Sequence, residues 1–151
     1  MNVDRLTQLA DVLCNVPVTK FNMSYWGRYE GKDAPKQLDI TKCGTAACAF
    51  GWACSIPEFQ AAGLKLISWG GRGEAMYYVV QLTTPCMTYT DYRAAAKFFD
   101  LTWDEAAWIF NPVAYRPEAA DEEWETGSVT PDQVVERIEF LLAGKRPSHA
   151  D

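Results

Sequence analysis

The chain has a single histidine, His149, and it falls among the polar residues 146–151. That scarcity bears on chemistry first. A Cys–His enzyme needs an imidazole fixed beside its thiol, and a lone histidine in a polar tail is not expected to supply one. No apolar run approaches the roughly 20 residues that span a bilayer, so no membrane partner is expected. No Walker motif, no GxGxxG, no internal repeat and no long linker is present. Positive charge is also in deficit, with 14 Lys and Arg against 20 Asp and Glu, a net charge of -6 and a pI near 4.8. Such a surface repels DNA, RNA and anionic lipid, so no nucleic-acid partner is expected. The opening MNVDRLTQLADVL is amphipathic and carries two Asp, unlike a signal peptide, which points to a cytoplasmic setting.

What is present suits a packed domain. Hydrophobic residues make up 48% of 151 positions and charged residues 23%, a globular balance. We read residues 1–145 as one globular domain and 146–151 as a polar tail. Aromatics reach 13%, with six Trp, more flat amphipathic rings than such a core needs, so some are expected on a binding surface. The five Cys are an odd number and are expected as free thiols, with Cys14 and Cys86 acting as small hydrophobes.

Periodicity predicts an α+β fold, mostly helical, with a buried central helix and one β-hairpin. Leu6, Leu9, Ala10 and Leu13 form an apolar stripe over residues 3–14. Residues 45–55 are apolar or small on every side, which predicts a buried helix with Thr45 as its cap and Pro57 beyond its end. LKLISW, GGRG and EAMYYVVQL, residues 64–82, read as the hairpin. Residues 91–99 and 100–110 read as helices, with Thr102 and Glu105 as a capping box. The last helix has Thr130 as cap, Pro131 in its first turn, and Val134, Val135, Ile138, Leu141 and Leu142 as its stripe.

FNMSYW (21–26), CGTAACAFGW (43–52) and LTWDEAAWIFNPVAY (101–115) together resemble a group of uncharacterised small proteins of phages and bacterial genomes. Members carry F-x-M-x-x-W, then C-G-T-x-A-C-x-x-G-W, then a helical pair ending in F-x-P. The resemblance implies a phage-like or mobile-element setting, in which a protein that binds and blocks something is expected.

The thiols around residue 48 invite three readings. As a metal site, Cys43, Cys48 and Cys54 lack the close pairing and the fourth ligand that zinc favours. On a helix Cys48 and Cys54 would also face about 240° apart. No metal and no cofactor is expected. As a nucleophile, Cys43 would need a helix start to lower its pKa, and a base besides. As an anion site, Cys43, Gly44 and Thr45 would present the free N–H groups of a helix start. The GGRG turn places Arg72 beside Trp69, where a cation and a ring suit an anionic aromatic ligand. Trp26 offers a second stacking face on an irregular loop. Glu118–Glu125 surrounds Trp124 with acids and reads as a solvated loop or an acidic docking surface.

From these residues we expect a non-enzymatic, phage-type accessory protein, counter-defence among its roles. It would bind and sequester a small anionic, nucleotide-like ligand at Trp26, Cys43, Gly44, Thr45, Trp69 and Arg72, with no catalytic residue. The alternatives are an acidic inhibitor of a host nucleic-acid-handling protein and a thiol-dependent enzyme using Cys43.

Overall fold

A computed structural model of the chain describes residues 1–72, 74–116 and 126–147. In chain order the elements are α1 (Val3–Leu13), β1 (Gly27–Glu30), β2 (Thr45–Ala47), α2 (Ala49–Ala53), α3 (Pro57–Ala61), β3 (Leu64–Arg72), β4 (Ala75–Thr83), β5 (Thr88–Thr90), α4 (Asp91–Phe99), α5 (Trp103–Phe110) and α6 (Pro131–Leu142). The α+β class holds. A mostly helical chain with one hairpin does not, because a five-stranded antiparallel sheet organises the molecule.

The longer helices form where their caps and stripes foretell them. Asn2 caps α1, its Oδ1 accepting from the Arg5 N–H at 3.0 Å, and Leu6, Leu9, Ala10 and Leu13 are buried. In α5 the Thr102 hydroxyl accepts from the Glu105 N–H while the Glu105 carboxylate accepts from the Thr102 N–H. Thr130 and Gln133 make the same reciprocal box on α6, whose Val134, Val135, Ile138 and Leu141 pack inward along α1. Such a box satisfies two donors that a helix start leaves orphaned.

The sheet runs β2-β1-β4-β3, and β5 pairs with β4. The β1 strand covers the Ala75–Tyr78 part of one β4 edge, and β5 covers Gln81–Thr83. Both lie on the edge opposite β3. Between them Val79 and Val80 have no strand partner on that side. Alternation divides the faces: Leu64, Leu66, Tyr78, Val80 and Leu82 are buried, while Lys65, Ile67, Tyr77, Val79 and Gln81 point the other way and keep solvent contact.

Residues 45–53 correct the expected helix. Thr45–Ala47 is strand β2, paired with β1, and only Ala49–Ala53 is helical. Thr45 does not cap. Its hydroxyl is turned back onto the Ile40 and Lys42 carbonyls, at 2.7 and 2.6 Å. The cap is Cys48, whose sulfur accepts from the Gly51 N–H at 3.4 Å. Burial of the helix itself is as expected, with all five residues inside. Phe50 anchors it, packed against Phe99 and Phe110 at ring separations of 5.9 and 5.3 Å.

Candidate functional site

Where β1 and β5 part company, the two chains turn away from β4 and leave a cleft of about 1080 Å³. Tyr77, Tyr78 and Val79 of β4 form its floor, Met23–Trp26 one wall, and Thr90–Arg93 the other. Trp103, Phe110, Asn111 and Pro112 close it from the helical side. The cleft is therefore a product of topology: two short strands share one long edge and do not meet.

The Met23–Trp26 wall is held by residues 47–52, the end of β2 and the start of α2. Phe21 bridges Ala47, the Asn22 N–H donates to the Ala47 carbonyl at 3.1 Å, and the Cys48 N–H donates to the Tyr25 carbonyl at 3.1 Å. Gly51 lies so near that a Cβ built there would stand 1.9 Å from the Trp26 carbonyl oxygen. The Trp52 indole N–H reaches the Lys20 carbonyl at 3.2 Å. Cys48 and Gly51 thus place Trp26 by close packing. This is what the small residues accomplish.

Trp26 leads into a run of rings. Its ring meets Phe50 edge-on at 6.1 Å and Tyr92 at 4.9 Å, and Tyr92 meets Trp103 at 5.8 Å. Burial, with a smaller push from the neighbouring Cys48 and Asp91, raises the Tyr92 phenol to about 12, so it is a neutral hydroxyl at ordinary pH. On the sheet side Tyr25 meets Tyr77 edge-on at 6.0 Å, with the Arg28 guanidinium 5.8 Å from the Tyr25 ring. Trp69 owes its position to a β-bulge: pairing passes from Ser68↔Tyr78 to Gly70↔Tyr77, which leaves Trp69 as the extra residue. Bulges re-aim side chains. Trp69 lines the cleft and is 81% exposed.

Polar groups are few. Asp91 has φ +54, a left-handed conformation that Asp tolerates better than most residues, and its carboxylate has no hydrogen bond or ion pair among the described residues. Asn111, also in the lining, accepts the Val113 N–H on its Oδ1 at 3.1 Å, and its amide NH2 has no hydrogen-bond partner among the described residues. Arg93 is the cation in the lining.

Of the residues expected from sequence, Trp26 and Trp69 meet in this cleft. Cys43, Gly44 and Thr45 do not line it. They form the turn into β2, where Gly44 has φ +74 and its carbonyl accepts from the Glu30 N–H at 2.8 Å. The helix start that was to hold an anion, or to activate Cys43, is not there. The backbone of Arg72 pairs with Ala75 at the end of the hairpin, and its side chain lies outside the described residues, as does the acidic segment 118–125. Sequence reasoning missed Tyr25, Tyr77, Asp91, Tyr92, Arg93 and Trp103. The surplus of aromatics was the signal for them, and it carries no address.

Among the described residues no group of three or more His, Cys, Asp or Glu is arranged to hold a metal ion. Cys48 and Cys54 are buried, and burial pushes the Cys48 thiol up to about 12 and the Cys54 thiol well above its ordinary value. Cys14 and Cys86 are exposed, which corrects their reading as packed hydrophobes, and Cys43 is exposed as well. A thiol reagent applied to the folded protein should therefore modify Cys14, Cys43 and Cys86 and spare Cys48 and Cys54, while the unfolded chain reacts at all five. Fast labelling of Cys48 in the folded state would mean that the α2 cap is open. No protein-family model, curated protein or solved structure matches the chain.

Proposed function

We propose that the protein is a non-enzymatic, phage-type accessory protein of the cytoplasm that binds and sequesters a small nucleotide-like anion, whose ring enters the cleft between β1 and β5. The observation that supports this most is the wall composition. Trp26, Trp69 and Trp103 lie around one opening together with Tyr25, Tyr77 and Tyr92. Rings of this kind receive any flat heterocycle, because every base has a π-face to stack. Two of the tryptophans, Trp69 and Trp103, are also exposed, at 81% and 52%. Neither indole packs against the buried core, so a binding role accounts for their exposure.

The polar groups suit the same ligand. Arg93 brings a cation, the Asn111 amide a donor, and the unpartnered Asp91 carboxylate an acceptor for ring N–H groups. The proposal needs no nucleophile, base or orienting group. No helix among the described residues is long and apolar enough to cross a membrane.

Titration of the protein's tryptophan fluorescence with nucleoside monophosphates tests the proposal. Quenching with a saturable curve is expected, and Trp69→Ala or Trp103→Ala should each weaken binding by about 1–3 kcal/mol, the range of a base–aromatic stack. Trp69→Ala should keep the parent's thermal midpoint, and Trp103→Ala should lower it only by the small contribution of its edge-on contact with Tyr92. No saturable binding by any base, or equal affinity in both variants, would remove the cleft as the site.

A further inference from the structure

A second, smaller hollow of about 330 Å³ adjoins the cleft, and the two share Arg93 and Trp103. Its lining includes Tyr89, Lys97 and Asp100. We infer that the ligand is a phosphorylated nucleoside bound across both hollows, with its ring in the aromatic cleft and its phosphate between Arg93 and Lys97. The inference rests on the reading of the cleft as a ring site.

Charge and spacing carry it. Arg93 and Lys97 are four residues apart on α4, so they lie on one helix face about 6 Å apart along the axis. Like charges at this spacing repel, and neither makes an ion pair among the described residues. An anion placed between them relieves that repulsion. Asp100 would oppose an anion, but its carboxylate is already matched by the N-terminal amine of Met1 at 2.9 Å. The hollow therefore sets Arg93 and Lys97 against one acid, Asp100, which the Met1 amine and, more weakly, Lys97 both offset. The cleft next to it is different: its lining is mostly rings, with the Asp91 carboxylate and the Arg93 guanidinium that it shares with the hollow. One compartment suits an uncharged heterocycle and the other suits its phosphate. Trp103 stands at the divide, where a sugar would cross.

This arrangement also replaces the anion site expected at Cys43–Thr45. Its two cations come from a helix of nine residues whose inner face, Ala94, Ala95, Phe98 and Phe99, is fully packed. Arg93 and Lys97 face outward and are exposed, so their substitution leaves the core alone.

Calorimetric titration with adenosine and guanosine, and with their monophosphates and diphosphates, tests the inference on the intact chain. Adding phosphate to a nucleoside that binds should strengthen binding about 10- to 100-fold, the scale of charge-assisted hydrogen bonds. Lys97→Ala should abolish most of that increment, Lys97→Arg should retain it, and added salt should reduce it. If nucleosides bind and phosphate adds nothing, or if Lys97→Ala keeps the full increment, the phosphate site is overturned and the ring site stands. If neither nucleosides nor nucleotides bind, both readings fall.

Discussion

Gly51→Ala is expected to destabilise the protein by about 3 kcal/mol or more, at the upper end of what overpacking does. The added Cβ would stand 1.9 Å from the Trp26 carbonyl oxygen and 2.6 Å from the Ala47 Cβ. Neither neighbour can yield cheaply. The carbonyl belongs to the residue that enters β1, and Ala47 is the end of β2, paired with Gly27. The smallest side chain therefore forces apart a buried helix, a strand and the cleft wall at once. Gly70 supplies the control, because nothing lies within 4 Å of a Cβ there, so Gly70→Ala should change stability by less than about 0.5 kcal/mol. Urea unfolding of the two variants beside the parent gives the comparison. A Gly51→Ala protein as stable as Gly70→Ala would show that the Trp26 segment is not seated on α2.

Phe50→Ala should cost about 3–5 kcal/mol, the usual range for a buried aromatic truncated to alanine. Its ring is fully buried and touches Trp26, Phe99 and Phe110, so the void would lie between α2, α4 and α5 where no single element can collapse to fill it. The loss is a large part of the total for a domain with ordinary marginal stability. Because Phe50 backs Trp26, the same variant should also weaken nucleotide binding, whereas Trp103→Ala should weaken binding at a stability cost of at most about 1.5 kcal/mol, that of its edge-on contact with Tyr92. A Phe50→Ala penalty below about 1 kcal/mol in urea unfolding would contradict the packing described.

The parts of this fold that could be read from residues are those with local causes. Thr102 with Glu105 and Thr130 with Gln133 satisfy orphaned backbone donors within one turn, so they mark α5 and α6 wherever the rest of the chain goes. The Leu64–Thr83 hairpin was legible because its strands are nine residues each, although Gly70, Gly71 and Arg72, expected in the turn, continue β3 and pair with β4. The strands that went unseen are β1, β2 and β5, at four, three and three residues. Runs that short do not display a period of two, and β2 merges with α2 into one small apolar tract that periodicity cannot divide. The cap at Cys48 was missed because sulfur is a weak acceptor and cysteine is not a usual cap residue.

The site divides in the same way. Trp26 and Trp69 were expected as stacking faces on chemical grounds, and both line the cleft. Their convergence with Tyr92, Arg93 and Trp103 depends on β1 and β5 sharing one edge of β4, a long-range pairing that leaves no local trace. Cys43, Gly44 and Thr45 failed because the argument for them required a helix at residue 45, and a strand begins there instead.

The parted edge also bears on self-association. An exposed strand edge is a template for another chain's strand, and proteins that keep one long and flat are prone to aggregate. Here the opening on β4 is limited to Val79 and Val80, too short to seat a strand between the ends of β1 and β5. The outer side of β3 is shielded where Lys36–Leu38 bonds to Leu66 and Ser68, and the outer side of β2 where Phe21 bridges Ala47. Along β2, the middle of β3 and the open part of β4, the sheet thus leaves little free edge for strand addition by another chain.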